Sequence, residues 1–494
     1  MAEVVQSTDN CENSATSRSC WGDYSIDTDY YSEVPETNVT REYWLVAENA
    51  VLAPDGVKRQ MMVWNGTFPG PLIEANWGDN VIVHVTNGLQ DNGTTIHWHG
   101  LRQFRNNEMD VIVNTGVPGT TQCPIPPGET MTYRWRATQY GSTWYHSHWS
   151  LQFSEGLYGP LIIHGPATAD YDVDLGPVFI SDWYHQTAFT TWAQGERQPI
   201  GSFVQSDTGL INGRNKWDAF TGEYEVFEFE QGKKYLLRII AVQTDSWMRF
   251  AIDGHTLTVI ATDLVPIRPF KTSSLNIAPG QRYDVVVEAN AAEDNYWMRS
   301  IYQTQCSNVG NANPDSIKAI VRYKNAVELD PISSAGDLPE SCEDESADNL
   351  IPHLERDVGI AGDTTQLSIQ FYRGTDRKNF FQWTVGTVPL VADWSNPTNM
   401  LIQSNDFDFP AGANIHDLNQ DGEWAYYILQ DGTGFGLSHP FHLHGHDFSI
   451  LGTGNGTYDG FTAALNVNNP PRRDTATMPG GGWLAIAFKA DNPG

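Results

Sequence analysis

The chain has 494 residues, too many for one ordinary hydrophobic core, so its length predicts about three domains. Its 29 Lys and Arg stand against 60 Asp and Glu, and a net charge of -31 argues against nucleic acid and anionic membrane surfaces as partners. No apolar run approaches the roughly 18 residues of a spanning helix, so no membrane partner is expected.

The opening MAEVVQSTDN has neither the basic stretch nor the apolar core of an export signal. Sequons at Asn38, Asn65, Asn92 and Asn455 nevertheless predict a glycosylated, secreted protein; Asn396 is followed by Pro397 and is not an acceptor. The five cysteines contain no Cys-x-x-Cys pair, which reads as disulfide chemistry rather than a zinc or redox motif. Short loops favour pairing Cys11 with Cys20 and Cys306 with Cys342, leaving Cys123 over.

Along the chain, alternating or β-branched runs predict strands at 81–85, 159–165, 177–181, 257–261, 283–289 and 483–488. Turn signals separate them at FPGPL (68–72), PPGE (126–129), APGQ (278–281) and DGE (421–423), a spacing that suits an all-β protein of antiparallel sandwiches. A small, polar stretch at 164–172 marks a first boundary near Pro166. The acidic, Pro-containing segment 328–352 reads as a solvated linker. The predicted units are therefore 1–166, 167–335 and 336–494. No repeat of 20 to 50 residues is visible. The Gly-rich patterns 432–436 and 452–456 read as turns, because neither sits between a strand and a helix.

Eight of the 14 histidines fall in three clusters: HWHG at 97–100, HSH at 146–148 and HPFHLHGH at 439–446. Residues i and i+2 of a strand share a face, so each His-X-His aims two imidazoles at one volume. Neutral imidazole suits copper, zinc, iron and nickel. Clusters so far apart in the chain can converge only if the first and last domains pack together. The single histidines His84, His164, His185, His255, His353 and His416 read as hydrogen-bonded structural residues.

The runs HWHGLRQ (97–103), CPIPPG (123–128), TQYGSTWYHSHWSLQ (138–152), ISDWYH (180–185), GQRYDVVVEA (280–289), HPFHLHGHDF (439–448) and PPRRDTA (470–476) resemble a fungal laccase of the ascomycete type, within the multicopper oxidases. The resemblance spans nearly the whole chain. It implies three cupredoxin-like, Greek-key β-sandwich domains and a complete site of four copper ions. It implies His97 and His442 at the type 2 copper, His99, His146, His148 and His444 at the type 3 pair, and His439 at the type 1 copper. His446 is not a family ligand and is expected to be structural. The implied reaction is one-electron oxidation of small phenolic or aromatic donors, coupled to reduction of O2 to water by a monomer. Asp110 corresponds to an acid that manages protons near the type 2 copper; an Asx-turn residue is the alternative. Asp245 falls where the family has a donor-pocket carboxylate that takes the phenolic proton, against the simpler reading of an exposed loop acid.

Two departures qualify that expectation. The family continues from a sequence like AFKADNPG (487–494) into a His-Cys-His segment, so the third domain is expected to be incomplete, the type 1 site unable to form and the chain inactive. Residues 111–115 (VIVNT) interrupt the family pattern after Asp110, as a retained intron fragment or a loop variant. The rival readings are a non-catalytic copper-binding β-sandwich protein, an ascorbate oxidase and a metal-ion oxidase.

Overall fold

The computed structural model describes residues 11–103, 116–195, 204–373, 381–418, 422–460 and 464–491. Strand Asn80–Asn87 shows how the sequence writes the architecture: Val81, Val83 and Val85 are buried while Ile82, His84 and Thr86 are partly solvated. Every predicted strand run coincides with an observed strand: Asn80–Asn87, Tyr158–His164, Val173–Trp183, Leu257–Thr262, Arg282–Glu288 and Gly482–Lys489, with two runs extending one residue too far, to Gly165 and Ala289.

Three sandwich units share one three-strand arrangement. In the first, Thr40–Leu52 runs parallel to Asn80–Asn87, which pairs antiparallel with Thr130–Arg136. In the second, Val173–Trp183 runs parallel to Lys234–Ala241, which pairs antiparallel with Arg282–Glu288. In the third, Ala361–Arg373 runs parallel to Trp424–Asp431, which pairs antiparallel with Gly482–Lys489. The repeat escapes the eye in the sequence because hydrogen bonding along a ladder leaves side-chain identity free and constrains only alternation. Each unit carries its own core, and the first two also interlock through Trp144, Tyr158, Phe179, Ile240 and Val242. No helix among the described residues is long and apolar enough to cross a membrane.

Disulfides join Cys11 to Cys20 and Cys306 to Cys342, as expected, and Cys123 is free. His84, His164, His185, His255 and His353 each hydrogen-bond a carboxylate, hydroxyl or carbonyl, and His416 is exposed. Two expectations need correcting. The segment 452–455 is not a turn but the end of strand Phe448–Asn455; a Cβ at Gly454 would lie 2.8 Å from the Trp483 indole, so glycine there admits the ring. The segment 328–352 is irregular but not a free linker. Glu345 accepts from the Asn276 amide, and Asp344 accepts from Gln281 of the second unit and Thr477 of the third.

Candidate metal centre

The first His-X-His is held by the residue between its histidines. Trp98 is fully buried against Tyr133, Trp135 and Tyr145 in the first core, which turns His97 and His99 to the opposite side. Strand His97–Trp98 pairs antiparallel with Gly141–His146 in a register that sets His97 opposite His146. Ser147 bonds its hydroxyl to Gln152 at 2.6 Å, fixing the chain where it passes from His146 to His148. In the third unit, His439–His442 pairs with Thr475–Met478, with His442 opposite Thr475.

These elements bring six imidazoles together: His97, His99, His146, His148, His442 and His444. Rings from the first and third units stack on each other, His97 on His444 with centroids 3.8 Å apart and His99 on His442 at 3.7 Å. His148 meets His444 edge-on at 5.2 Å. Donor atoms of His97, His99 and His442 all lie within 4.8 Å of one another. Burial foremost, and then the neighbouring imidazoles, push His97, His99 and His444 well below the usual histidine range. Burial also brings His146 to about 3 and His148 to about 4. All five are neutral at ordinary pH, the form that binds metal.

Hydrogen bonding shows which nitrogens face inward. His442 Nδ1 lies 2.8 Å from the Asp474 carbonyl and His146 Nδ1 3.0 Å from the Ser147 carbonyl. A carbonyl only accepts, so both rings donate outward and turn an Nε2 lone pair inward. His442 Nε2 then faces His97 Nε2 at 3.4 Å, and His146 Nε2 faces His99 Nδ1 at 3.5 Å. Opposed nitrogens at that separation are bridged either by the N–H of one neutral ring or by a cation, and six imidazoles turned to one volume suit the cation. The donor set therefore fits a metal of the imidazole-binding class.

Beneath the rings lies a charged network that the motifs GQRYDV and PPRRDTA contain but do not announce. Arg282 of the second unit pairs in bidentate fashion with Asp474 of the third, and both are buried. Arg473 likewise grips Asp263 through Nε and Nη2, at 3.1 and 3.0 Å. Burial would raise the Asp474 carboxyl, but the Arg282 guanidinium and the hydrogen bonds around it outweigh that and hold it well below the carboxylate range. Trp144 stacks on His146 at 4.1 Å and lies 5.1 Å from the His99 ring. Spacing could not reveal these partners, because each is made by tertiary approach between units.

The other sequence candidates stand apart from the six rings. His439, three residues before His442, faces Trp383 at 5.0 Å, and its Nε2 is buried without a hydrogen-bond partner. His446 packs against Phe488. Asp245 lies in the second unit; its Oδ2 accepts from Tyr302 at 2.7 Å and Ser307 at 2.6 Å. Its backbone is tied to Asp182, which also accepts from the Thr244 amide and hydroxyl. Asp110 and the 111–115 insertion lie outside the described residues.

Three family models described as multicopper oxidase match residues 46–168, 174–326 and 381–494, together most of the chain. The chain belongs to the multicopper oxidase family. This multicopper oxidase is 50% identical to Laccase-2 of Botryotinia fuckeliana, over 100% of this chain and 85% of that one. It is 49% identical to oxidoreductase OpS5 of Beauveria bassiana, over 98% and 83%. The laccase of Botrytis aclada superposes with a TM-score of 0.92 at 49% identity, covering 98% of this chain and 89% of that chain. Fet3p, a multicopper oxidase that functions in iron import, superposes with a TM-score of 0.77 at 25% identity, covering 92% and 86%. This multicopper oxidase is thus a laccase-type, oxygen-using oxidoreductase of three cupredoxin-like domains, and copper is its metal.

Proposed function

We propose that His97 and His442 hold one copper, the type 2 ion, that His99, His146, His148 and His444 hold a type 3 pair, and that His439 belongs to a type 1 site. The observation that carries this reading is the facing of inward nitrogens, His97 to His442 and His99 to His146, at 3.4 and 3.5 Å. Bound copper supplies one-electron redox chemistry and the reduction of O2 to water. The substrates on this reading are small phenolic or aromatic donors. The higher TM-score and identity with a laccase than with Fet3p favour that class over a metal-ion oxidase.

The protein's own groups bind and handle protons. Asp245 takes the phenolic proton at Oδ1, since Oδ2 is already committed to Tyr302 and Ser307. Asp110, outside the described residues, is kept as the proton-managing acid on the family resemblance alone. The orphaned Nε2 of His439 suits a ligand role. A blue-copper centre also needs a thiolate; four of the five cysteines are in disulfides, and Cys123 Sγ, 3.9 Å from Met400 Sδ, does not partner His439 Nε2, which has no hydrogen-bond partner. We therefore infer that residues 1–494 by themselves assemble no type 1 centre, so that this stretch expressed alone is inactive toward phenols. The division at 1–166, 167–335 and 336–494 is proposed on the three blocks of family matches. A secreted monomer is proposed, and exposed Asn38, Asn65 and Asn455 support the glycosylated route.

Copper loading of the expressed chain tests the assignment. The expected product retains copper but shows no intense thiolate-to-copper absorption and no phenol oxidation, and His97→Ala or His442→Ala loses the type 2 signal in electron paramagnetic resonance. Failure to retain copper sinks the ligand assignment; a blue band with turnover sinks the missing-thiolate inference.

A further inference from the structure

The second unit contributes no imidazole to the six-ring cluster, yet it reaches two of the rings through a single carboxylate. Asp474 Oδ1 lies 3.4 Å from His99 Nε2 and 3.4 Å from His442 Nδ1. Thr475 Oγ1 stands between the same two nitrogens, 3.4 Å from His99 and 3.2 Å from His442, and donates to Asp474 Oδ1 at 2.9 Å. The two rings are stacked within 11° of parallel, so one acceptor corner serves the outward nitrogen of both.

That corner is clamped from the second unit. Arg282 pairs with both Asp474 oxygens, and the Asp474 and Thr475 amides donate to Asp263, which also accepts from the Arg282 amide. Gly100, which closes the HWHG motif, leaves the space: a Cβ there would collide with Asp474 and lie 2.7 Å from Arg282 Nη2. A carboxylate has no proton to give, so an imidazole nitrogen turned toward it is the protonated one.

We propose that the Asp474–Thr475 corner, held by Arg282, is a positioning group that fixes the tautomers of His99 and His442, so that His99 presents Nδ1 and His442 presents Nε2 to the metal. For His442 the corner acts with the Asp474 carbonyl; for His99 it acts alone. The middle unit thereby sets the orientation of ligands that the outer units supply, in the manner of outer carboxylates that orient metal-bound histidines elsewhere. Asp474, Thr475 and Arg282 touch no reacting atom on this reading, and the metal part of the inference rests on the copper assignment above.

The test reads the tautomers in metal-free, 15N-histidine-labelled protein by long-range proton–nitrogen correlation, with His99→Gln and His442→Gln for assignment. His99 is expected protonated on Nε2 and His442 on Nδ1. Asp474→Asn and Thr475→Val are expected to leave His99 a mixture of tautomers. Both should weaken copper(I) binding, measured in competition with a chromophoric chelator, Asp474→Asn by about 10–100-fold. Arg282→Lys keeps the charge but not the bidentate grip, and is expected to move both readouts the same way by less. His99 protonated on Nδ1 in the parent protein overturns the proposal, as do unchanged tautomers and affinity in the variants. Thr475→Val, which leaves the Arg282–Asp474 pair intact, decides the matter if Asp474→Asn does not fold. A parent chain with these tautomers but no copper affinity sinks the copper assignment and upholds the role of the corner.

Discussion

Asp182 shows how much a single buried group can do without touching a metal. Burial first, then the nearby Asp245, raises its carboxyl from the ordinary 3.8 to about 7, even though it accepts three hydrogen bonds from Thr244 and Asp245. The folded chain then binds more protons than the unfolded chain between those two values. Stability contributed by protonated Asp182 is fully present at the acid end of the window and is lost as pH rises through about 7. Asp182→Asn is expected to flatten the decline of urea midpoints across that window; a decline as steep as in the parent would show that another group sets it. Residues of this kind were not legible in the sequence. ISDWYH was visible as a motif, but whether Asp182 is buried, and what it faces, depends on the loop at 244–245. The convergence of the clustered histidines was legible because three His-X-His spacings each declare a face, whereas Asp474 and Arg282 carry no spacing that predicts their meeting.

At the level of the element, the short strand His97–Trp98 depends on the turn at its end as much as on its own alternation. Gly100 sits at φ +76, a left-handed conformation that costs other residues about 1–2 kcal/mol, and a side chain there would also strike the Arg282–Asp474 pair. Gly100→Ala is expected to destabilise the protein by at least that amount, read as a lowered guanidinium midpoint, and to weaken copper retention in the same variant. A midpoint equal to the parent's would mean the pair can shift freely, against the picture of a fixed corner. Strands of the sandwiches were readable from period-two burial, as in Val81, Val83 and Val85. The strand at Gly452–Asn455 was not, because the glycines that read as a turn exist to let the Trp483 ring lie on the backbone.

For the molecule as a whole, the second and third units are joined by fully buried charges. Arg282 and Arg473 are both completely enclosed, as are their partners Asp263 and Asp474. Removing one member of such a pair strands the other in a low-dielectric interior, a loss of about 3–5 kcal/mol. Arg473→Met is therefore expected to lower the calorimetric midpoint and to split one transition into two as the third unit separates from its neighbour. A single transition at the parent temperature would show that the interface does not depend on this pair. The need for an interface between first and third units followed from the distance between histidine clusters along the chain. The part played by the middle unit did not, since charges that meet across units leave no periodic trace.

The stacking of His97 on His444 and of His99 on His442 has a consequence for how the protein is made. Domains emerge from synthesis in order and fold largely as they appear. Four of the six imidazoles therefore wait on an open flank until the last third of the polypeptide has been translated and docked. A nascent first unit offers only an incomplete nest for an ion, and capture of metal becomes a late event that reports the completed assembly.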